Sequence, residues 1–309
     1  MARRRMRLGA FLRRRWRVAG LLVVGLLGAL LLLAITDRGH DPLWRARAQH
    51  VDQVAISPGG ERVYALVRDD PAGPLTRLEA RSGLDGGLVW KTDLNDSRAL
   101  VAAGDDRVVV ATDYPRAFVT TFDADGTPRA PVPLGGNPRA LVVDGGVTAV
   151  LVQGNDSRVL LLSEGAPPRE LRFGVLAHAM DLRAGRLAVG TAAGDVLAFD
   201  ALGTPMGNLS VGFQVRSLRL SGDGLSAALG GSRSDLTGAA ALARLDSSPR
   251  VAWTVPTSAP VGLVDADDAM RRVVAVEETT PEATMRVLQA SDGRQAWGKV
   301  VVGSVAGDD

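Results

Sequence analysis

The chain has 309 residues, 46% of them apolar, with 36 Gly, 16 Pro and no Cys; that is enough for one large domain with a substantial core, and it excludes disulfides, thiolate metal sites and Cys-borne lipid. The net charge of +2 hides an asymmetry, because eight of the 36 basic residues precede the first acidic one and leave 28 against 34 acidic residues, about −6 for the rest. An acidic body gives no support for phosphate neutralisation, so no nucleic-acid partner is expected.

Residues 1–17 carry those eight charges as Arg3, Arg4, Arg5, Arg7, Arg13, Arg14, Arg15 and Arg17. Residues 18–35 are an uninterrupted apolar run without charge. As a helix it spans ~27 Å at ~1.5 Å per residue, close to the hydrocarbon thickness of a bilayer. Arginines before it and Asp37 after it place the N-terminus in the cytoplasm by the positive-inside rule. A cleaved signal peptide is disfavoured because Leu33-Ala34-Ile35 fits a small-x-small site poorly. An export signal built on Arg13-Arg14-Arg15-Trp16 is disfavoured by the length of the run. The expected organisation is a cytoplasmic segment (1–17), a signal-anchor helix (18–36), a linker (37–42) and an extracytoplasmic β domain (43–309). The expected address is the cell membrane, spanned once.

After residue 36 the chain reads as short strands with Gly, Pro and Asp punctuation. A weak repeat marks it: Trp44 in Pro42-Leu43-Trp44-Arg45, Trp90 in Leu88-Val89-Trp90-Lys91, Trp253 in Val251-Ala252-Trp253-Thr254 and Trp297 in Gln295-Ala296-Trp297-Gly298. Apolar runs near Val54, Leu100, Leu141, Met180, Leu218 and Leu263 recur at intervals of about 40 residues. Between them come alternating segments such as Arg62-Val63-Tyr64-Ala65-Leu66-Val67, and turns such as Asp125-Gly126 and Gly194-Asp195. Four short strands per repeat of this length predict an all-β fold, a β-propeller of six to seven four-stranded blades. Immunoglobulin-like modules would need longer strands and repeats of about 90–100 residues.

The ends leave the blade number open. Leu43-Trp44-Arg45-Ala46-Arg47 reads as an outer strand ahead of the first blade. Gly303-Ser304-Val305-Ala306-Gly307-Asp308-Asp309 repeats the opening of the second, Val101-Ala102-Ala103-Gly104-Asp105-Asp106. Either six blades close with a redundant strand, or a seventh blade is incomplete. The second is the preferred expectation.

Ser82-Gly83 leading to Leu88-Val89-Trp90-Lys91-Thr92, and Ser291-Asp292-Gly293 leading to Trp297, resemble the repeat of quinoprotein-type (PQQ-like) propellers. Ser57-Pro58-Gly59-Gly60 followed by a strand is equally similar to WD-type propellers. The resemblance implies that Trp44, Trp90, Trp253 and Trp297 are structural residues that lock neighbouring blades. The enzymatic quinoproteins stack a quinone over a central Trp beside vicinal Cys and calcium. This chain lacks the Cys pair, so no cofactor is expected. The non-enzymatic members, among them a membrane-anchored propeller of outer-membrane protein assembly, are adaptor surfaces.

Candidate chemistry is sparse. His40, His50 and His178 show no metal-ligand spacing. Asp123-Ala124-Asp125-Gly126 and Asp265-Ala266-Asp267-Asp268 lack the late bidentate acid of a calcium loop and read as turns. Gly230-Gly231-Ser232-Arg233-Ser234-Asp235 reads as a surface or binding loop. Asn95, Asn155 and Asn208 sit in Asn-x-Ser triplets, possible glycosylation acceptors on an external domain. No nucleophile elbow, zinc-protease or phosphate-loop motif is present. No catalytic, cofactor or metal residue is therefore assigned. The expected function is a non-catalytic protein-interaction scaffold whose partners are the membrane, through residues 18–36, and other membrane or extracytoplasmic proteins. The alternative is a hydrolase- or lyase-like enzyme, or a small-ligand binder, using the central channel.

Overall fold

The computed structural model describes residues 50–302 apart from 71, 72, 97, 114, 115, 155, 280 and 281. The chain divides into two units between Ala46 and Arg47. All described residues belong to the second. The apolar run at 18–35, Trp44 and the terminal residues 303–309 lie outside them. Among the described residues no helix is long and apolar enough to cross a membrane.

The described backbone forms strands joined by turns. Blade 1 holds β1 (His50–Ile56), β2 (Arg62–Arg68), β3 (Leu75–Ser82) and β4 (Leu88–Asp96). Blade 2 holds β5 (Ala99–Ala103), β6 (Arg107–Thr112), β7 (Phe118–Asp123) and β8 (Val132–Pro133). Blade 3 holds β9 (Asn137–Asp144), β10 (Val147–Gln153), β11 (Ser157–Ser163) and β12 (Arg169–Phe173). Blade 4 holds β13 (Ala177–Arg183), β14 (Arg186–Thr191), β15 (Asp195–Asp200) and β16 (Pro205–Ser210). Blade 5 holds β17 (Gln214–Leu220), β18 (Ser226–Ser232), β19 (Gly238–Arg244) and β20 (Arg250–Thr257). Blade 6 holds β21 (Val261–Ala266), β22 (Arg272–Glu278), β23 (Glu282–Gln289) and β24 (Gln295–Val302). Each blade is a four-stranded antiparallel sheet in sequence order. The arrangement is a β-propeller of six blades among the described residues.

Position within the blade decides burial. The second strands are covered on both faces, as in β6 and β14, and read as continuous apolar runs. The outer strands meet solvent, and β20 alternates strictly. Facing blades share a core. Tyr64, Leu66 and Leu78 pack with Val101, Val108 and Phe122 between blades 1 and 2. Val109 and Val119 pack with Val143 and Val150 between blades 2 and 3. Leu151 and Leu161 meet Leu182 and Leu187 between blades 3 and 4. Ala188 and Val196 meet Leu220 and Leu229 between blades 4 and 5. Ala228, Ala240 and Leu242 meet Val261, Val264 and Val273 between blades 5 and 6. Burying one Leu or Val in such a core contributes about 1.5–3 kcal/mol.

Each of these five junctions also carries a hydrogen bond from the side chain of one blade to the backbone of the next. Gln53 Oε1 accepts from Val101 N at 2.9 Å. Arg107 Nη2 donates to the Gly145 carbonyl at 3.0 Å. Ser157 Oγ accepts from Ala177 N at 3.0 Å, Asp181 Oδ2 from Leu220 N at 2.8 Å and Ser217 Oγ from Val264 N at 2.9 Å. The innermost strands pack side by side in the order β1, β5, β9, β13, β17, β21. Among the described residues, β21 and β1 share no comparable packing, and no hydrophobic cluster joins blade 6 to blade 1.

Two sequence expectations need correction. Gly230, Gly231 and Ser232 lie in β18 rather than in a loop, and the turn begins at Arg233. Their smallness is a packing requirement: a Cβ on Gly230 would come within 2.6 Å of Val261 and Val264, and one on Gly231 within 1.8 Å of the Gln214 carbonyl. Likewise Asp265 and Ala266 close β21, and only Asp267 and Asp268 belong to the turn.

The outer hairpin turns are capped by Asp. Asp85 accepts from Gly87 N, Asp125 from Thr127 N and Asp292 from Arg294 N, each at 3.0 Å. Those backbone N–H bonds hold all three carboxyls below their ordinary range. A depressed carboxylate contributes stability above its unfolded pKa and loses it as pH falls through the lower folded value. Thermal unfolding followed by circular dichroism should therefore show a falling midpoint as pH drops below about 3.8. The Asp125→Asn variant should lose less over that interval than the parent.

Candidate functional site

The inner strands share an irregularity that places side chains at one end of the propeller. In β1, β9, β13, β17 and β21 one residue bulges out of the pairing with the second strand at the same offset. The bulged residues are Asp52, Arg139, His178, Arg216 and Gly262; β5 pairs with β6 without a shift. A bulge re-aims its side chain and ends regular pairing. Because all inner strands run the same way, these residues gather at one mouth of the central channel.

A hydrogen-bonded belt links them across blades 3 to 6. Arg139 Nε donates to Gln153 Oε1 at 2.7 Å, and Gln153 Nε2 donates to the Ala177 carbonyl at 2.8 Å. The His178 ring nitrogen Nε2 lies 2.7 Å from Gln214 Nε2, and Ser232 Oγ donates to Gln214 Oε1 at 3.0 Å. Arg216 Nη1 donates to Glu278 Oε2 at 3.0 Å. A Cβ on Gly262 would meet Glu278, so the small residue there makes room for the acid. On the blade 1 side Asp52 pairs with Arg68 at 2.6 Å and stands 3.5 Å from the His50 ring. Burial, then the nearby Arg216 and Arg139 charges, hold His178 below its ordinary pKa. Arg139 is tied to the neutral Gln153 amide and keeps its charge at the rim, whereas the lowered pKa favours the neutral His178 ring. No catalytic motif in the sequence marks this belt. The signal that could find it is a single residue, polar in four blades, interrupting each inner apolar run, as in Pro138-Arg139-Ala140, Ala177-His178-Ala179 and Val215-Arg216-Ser217.

The tryptophans mark the blade perimeter. Trp90 donates from Nε1 to the Ala124 carbonyl at 2.9 Å and stacks on Phe122 with centroids 6.2 Å apart. Trp253 makes the same bond to the Ala290 carbonyl at 2.8 Å. Each lies over the outer turn of the following blade, where a glycine with positive φ permits the approach. A Cβ on Gly126 (φ 88°) would sit 2.8 Å from Trp90, and one on Gly293 (φ 73°) 2.9 Å from Trp253. Between blades 3 and 4 the same seat is taken by Leu171, 2.7 Å from a Cβ on Gly203, a joint that Trp spacing alone does not reveal. Trp297 is 49% exposed, and Trp44 lies outside the described residues.

The remaining candidates are scattered. His40 and Asn155 lie outside the described residues; Asn95 is in β4, and Asn208 is exposed on β16. Asp123 pairs with Arg129, and Asp267 caps its own turn through Arg271 N. Among the described residues no group of three or more His, Asp or Glu is arranged to hold a metal ion. A cleft of about 940 Å³ between blades 5 and 6, at the end opposite the belt, is lined by Ser221, Asp223, Arg244, Asp268 and Arg272 among others.

No protein-family model matches this chain, and neither does any curated protein. Solved structures do. Hsv2 from Kluyvelomyces marxianus is 10% identical with a TM-score of 0.60, over 78% of this chain and 72% of that one. BamB from Moraxella catarrhalis is 18% identical with a TM-score of 0.59, over 85% and 78%. The WD40 repeats of RRP9 are 12% identical with a TM-score of 0.57, over 73% and 72%. At such identities the likeness is one of fold.

Two outcomes follow from this geometry. Gly126→Ala should destabilise the protein by about 1–3 kcal/mol through overpacking against Trp90, and Trp90→Phe in the same chain should recover part of it in a denaturant double-mutant cycle. Removing a neighbouring positive charge with Arg216→Ala should raise the His178 pKa toward 6.5 in an NMR titration. Because the depressed His contributes stability above its unfolded pKa that is lost as pH falls, the variant should also soften the acid side of the stability profile.

Proposed function

We propose that this chain is a membrane-anchored, extracytoplasmic and non-catalytic propeller that holds another protein of a membrane-associated complex against the mouth of its channel. The observation that carries it is the belt of bulged side chains. Three successive blades present Arg139, His178 and Arg216 at one rim, positioned by Gln153, Gln214 and Glu278 rather than left to swing. A pre-positioned polar rim on a rigid scaffold loses little side-chain entropy on binding. Arg139, bonded to a neutral amide rather than to an acid, suits an acidic side chain on a partner loop, with charge steering the encounter. Anchoring rests on the apolar run at 18–35 and its arginine flank. RRP9, Hsv2 and BamB support the fold and not this assignment. A small anionic ligand is the second reading, favoured by Arg139 and Arg216 standing on either side of His178 at the channel mouth.

The chain has no Cys, so a single introduced thiol reports topology. Leu202→Cys, on an exposed turn of blade 4, should react with a membrane-impermeant maleimide on intact cells, and Ala10→Cys should react only after lysis. The reverse pattern sinks the external placement. Crosslinking of the full-length protein in native membranes should recover stoichiometric partners, and the Arg139→Ala, Arg216→Ala double variant should lose them while keeping its thermal midpoint within a few degrees. Recovery of the protein alone would count against the scaffold and direct attention to the small-ligand reading.

A further inference from the structure

Blades 5 and 6 share one template, and the difference between their outward faces is informative. On the face of blade 5 turned toward blade 6, Ala228, Gly230, Ala240 and Leu242 are all buried, with Trp253 at the perimeter. Strand registers make Val274, Val276, Met285, Val287 and Trp297 their counterparts in blade 6. Trp253 stands opposite Leu242 with a register shift directly after it; Trp297 stands opposite Val287 with the same shift. Yet none of these blade 6 side chains is buried. The four aliphatic ones are only partly covered and Trp297 is exposed. Leu263, on the same face beside Val276, is 56% exposed. Scattered apolar residues on a surface are ordinary, but a contiguous sheet face of six marks an interaction site.

The chain itself shows what such a face receives. At three junctions an outer-strand side chain (Trp90, Leu171 or Trp253) lies over a hairpin turn whose glycine has positive φ (Gly126, Gly203 or Gly293). At the two tryptophan junctions the indole N–H is donated to a carbonyl just before that glycine. Trp297 has the strand register of these joints, and among the described residues its indole makes no hydrogen bond. Across the unmade junction, Val54 and Ile56 on the side of β1 turned away from blade 2 are 50% and 60% exposed. The same side of blade 1 carries buried Ala65 and Val67 and the ion pairs of Glu79 with Arg77 and Arg81, so it differs in chemistry from the blade 6 face.

We propose that the outward face of blade 6 is a docking site for a β-hairpin of a partner protein, with Trp297 seated on a glycine turn of that hairpin and its indole N–H donated to the turn's carbonyl. The occupant is a sheet with alternating apolar residues on its inner face and a left-handed glycine in its turn. A Cβ at that position would crowd the ring, as it would at Gly126 and Gly293. This site is separate from the channel rim and stands or falls without it.

The test uses the full-length protein in detergent micelles, labelled with 5-fluorotryptophan, the Trp297 resonance being assigned by Trp297→Phe. The probe is a synthetic hairpin of residues 118–133, the segment that seats Trp90, closed by a disulfide between added terminal cysteines. Saturable movement of the Trp297 resonance, with those of Trp90 and Trp253 unmoved, is the expected result. A probe carrying Gly126→Val should bind at least tenfold more weakly. The proposal is overturned by an unmoved Trp297 at millimolar probe, or by equal binding of the valine probe. It is also overturned if Trp297 is shielded from a soluble paramagnetic quencher before any probe is added, since the face is then covered within the molecule. A Trp297 shift that grows with protein concentration alone would assign the face to a second copy instead.

Discussion

Each blade is a four-stranded sheet with two faces, and the apolar side chains on both drive it against its neighbours. Everything else in this fold follows from covering them. Blades 2 to 5 each supply half of two cores and blades 1 and 6 half of one, so the apolar clusters fall between blades rather than within them. The second strands sit deepest and are covered on both sides, which is why Val108, Val109, Val110 and Ala111 run on without alternation. The side-chain bonds from Gln53, Arg107, Ser157, Asp181 and Ser217 to the backbone of the next blade set the offset between sheets. Hydrophobic packing alone is non-directional and would leave that offset loose. Each bond is worth about 1 kcal/mol net, and Asp181 shows its cost, since burial raises its pKa against the Leu220 N–H that stabilises the anion.

The same economy of repetition makes the rim. A bulge interrupts pairing between the inner and second strands, and five blades accept it at one offset. Repetition turns a local irregularity into an ordered ring of side chains. Once the backbone places them together, their chemistry becomes collective. His178 is shifted first by burial and then by arginines from the blades on either side, and Arg216 reaches across a junction to Glu278. The perimeter obeys a similar logic, in which a flat aromatic ring and a glycine turn form a joint that can recur wherever two blades meet.

Much of this was legible in the residues. Strand starts near Val54, Leu100, Leu141, Met180, Leu218 and Leu263 fall within the observed inner strands, because alternation and Gly/Asp turns act over a few residues and need no distant partner. Other features were not. Gly230 and Gly231 look like loop residues until the Val261, Val264 and Gln214 atoms above them are seen. Leu171 carries no mark that it occupies a seat held elsewhere by Trp. The bulged residues sit in unremarkable tripeptides, and their meeting at one rim depends on how five strands are arrayed.

By itself the sequence determined an all-β chain of roughly 40-residue units, its turn positions, its apolar N-terminal run and the absence of thiol chemistry, since each of these is set by local composition and spacing. Only the tertiary structure decided that six sheets pack in chain order through five cores, that Arg139, His178 and Arg216 share one mouth, and that Trp297 stays exposed on a partly covered face of blade 6. Those depend on which surfaces meet, and contact between residues a blade apart is a property of packing that no local pattern encodes.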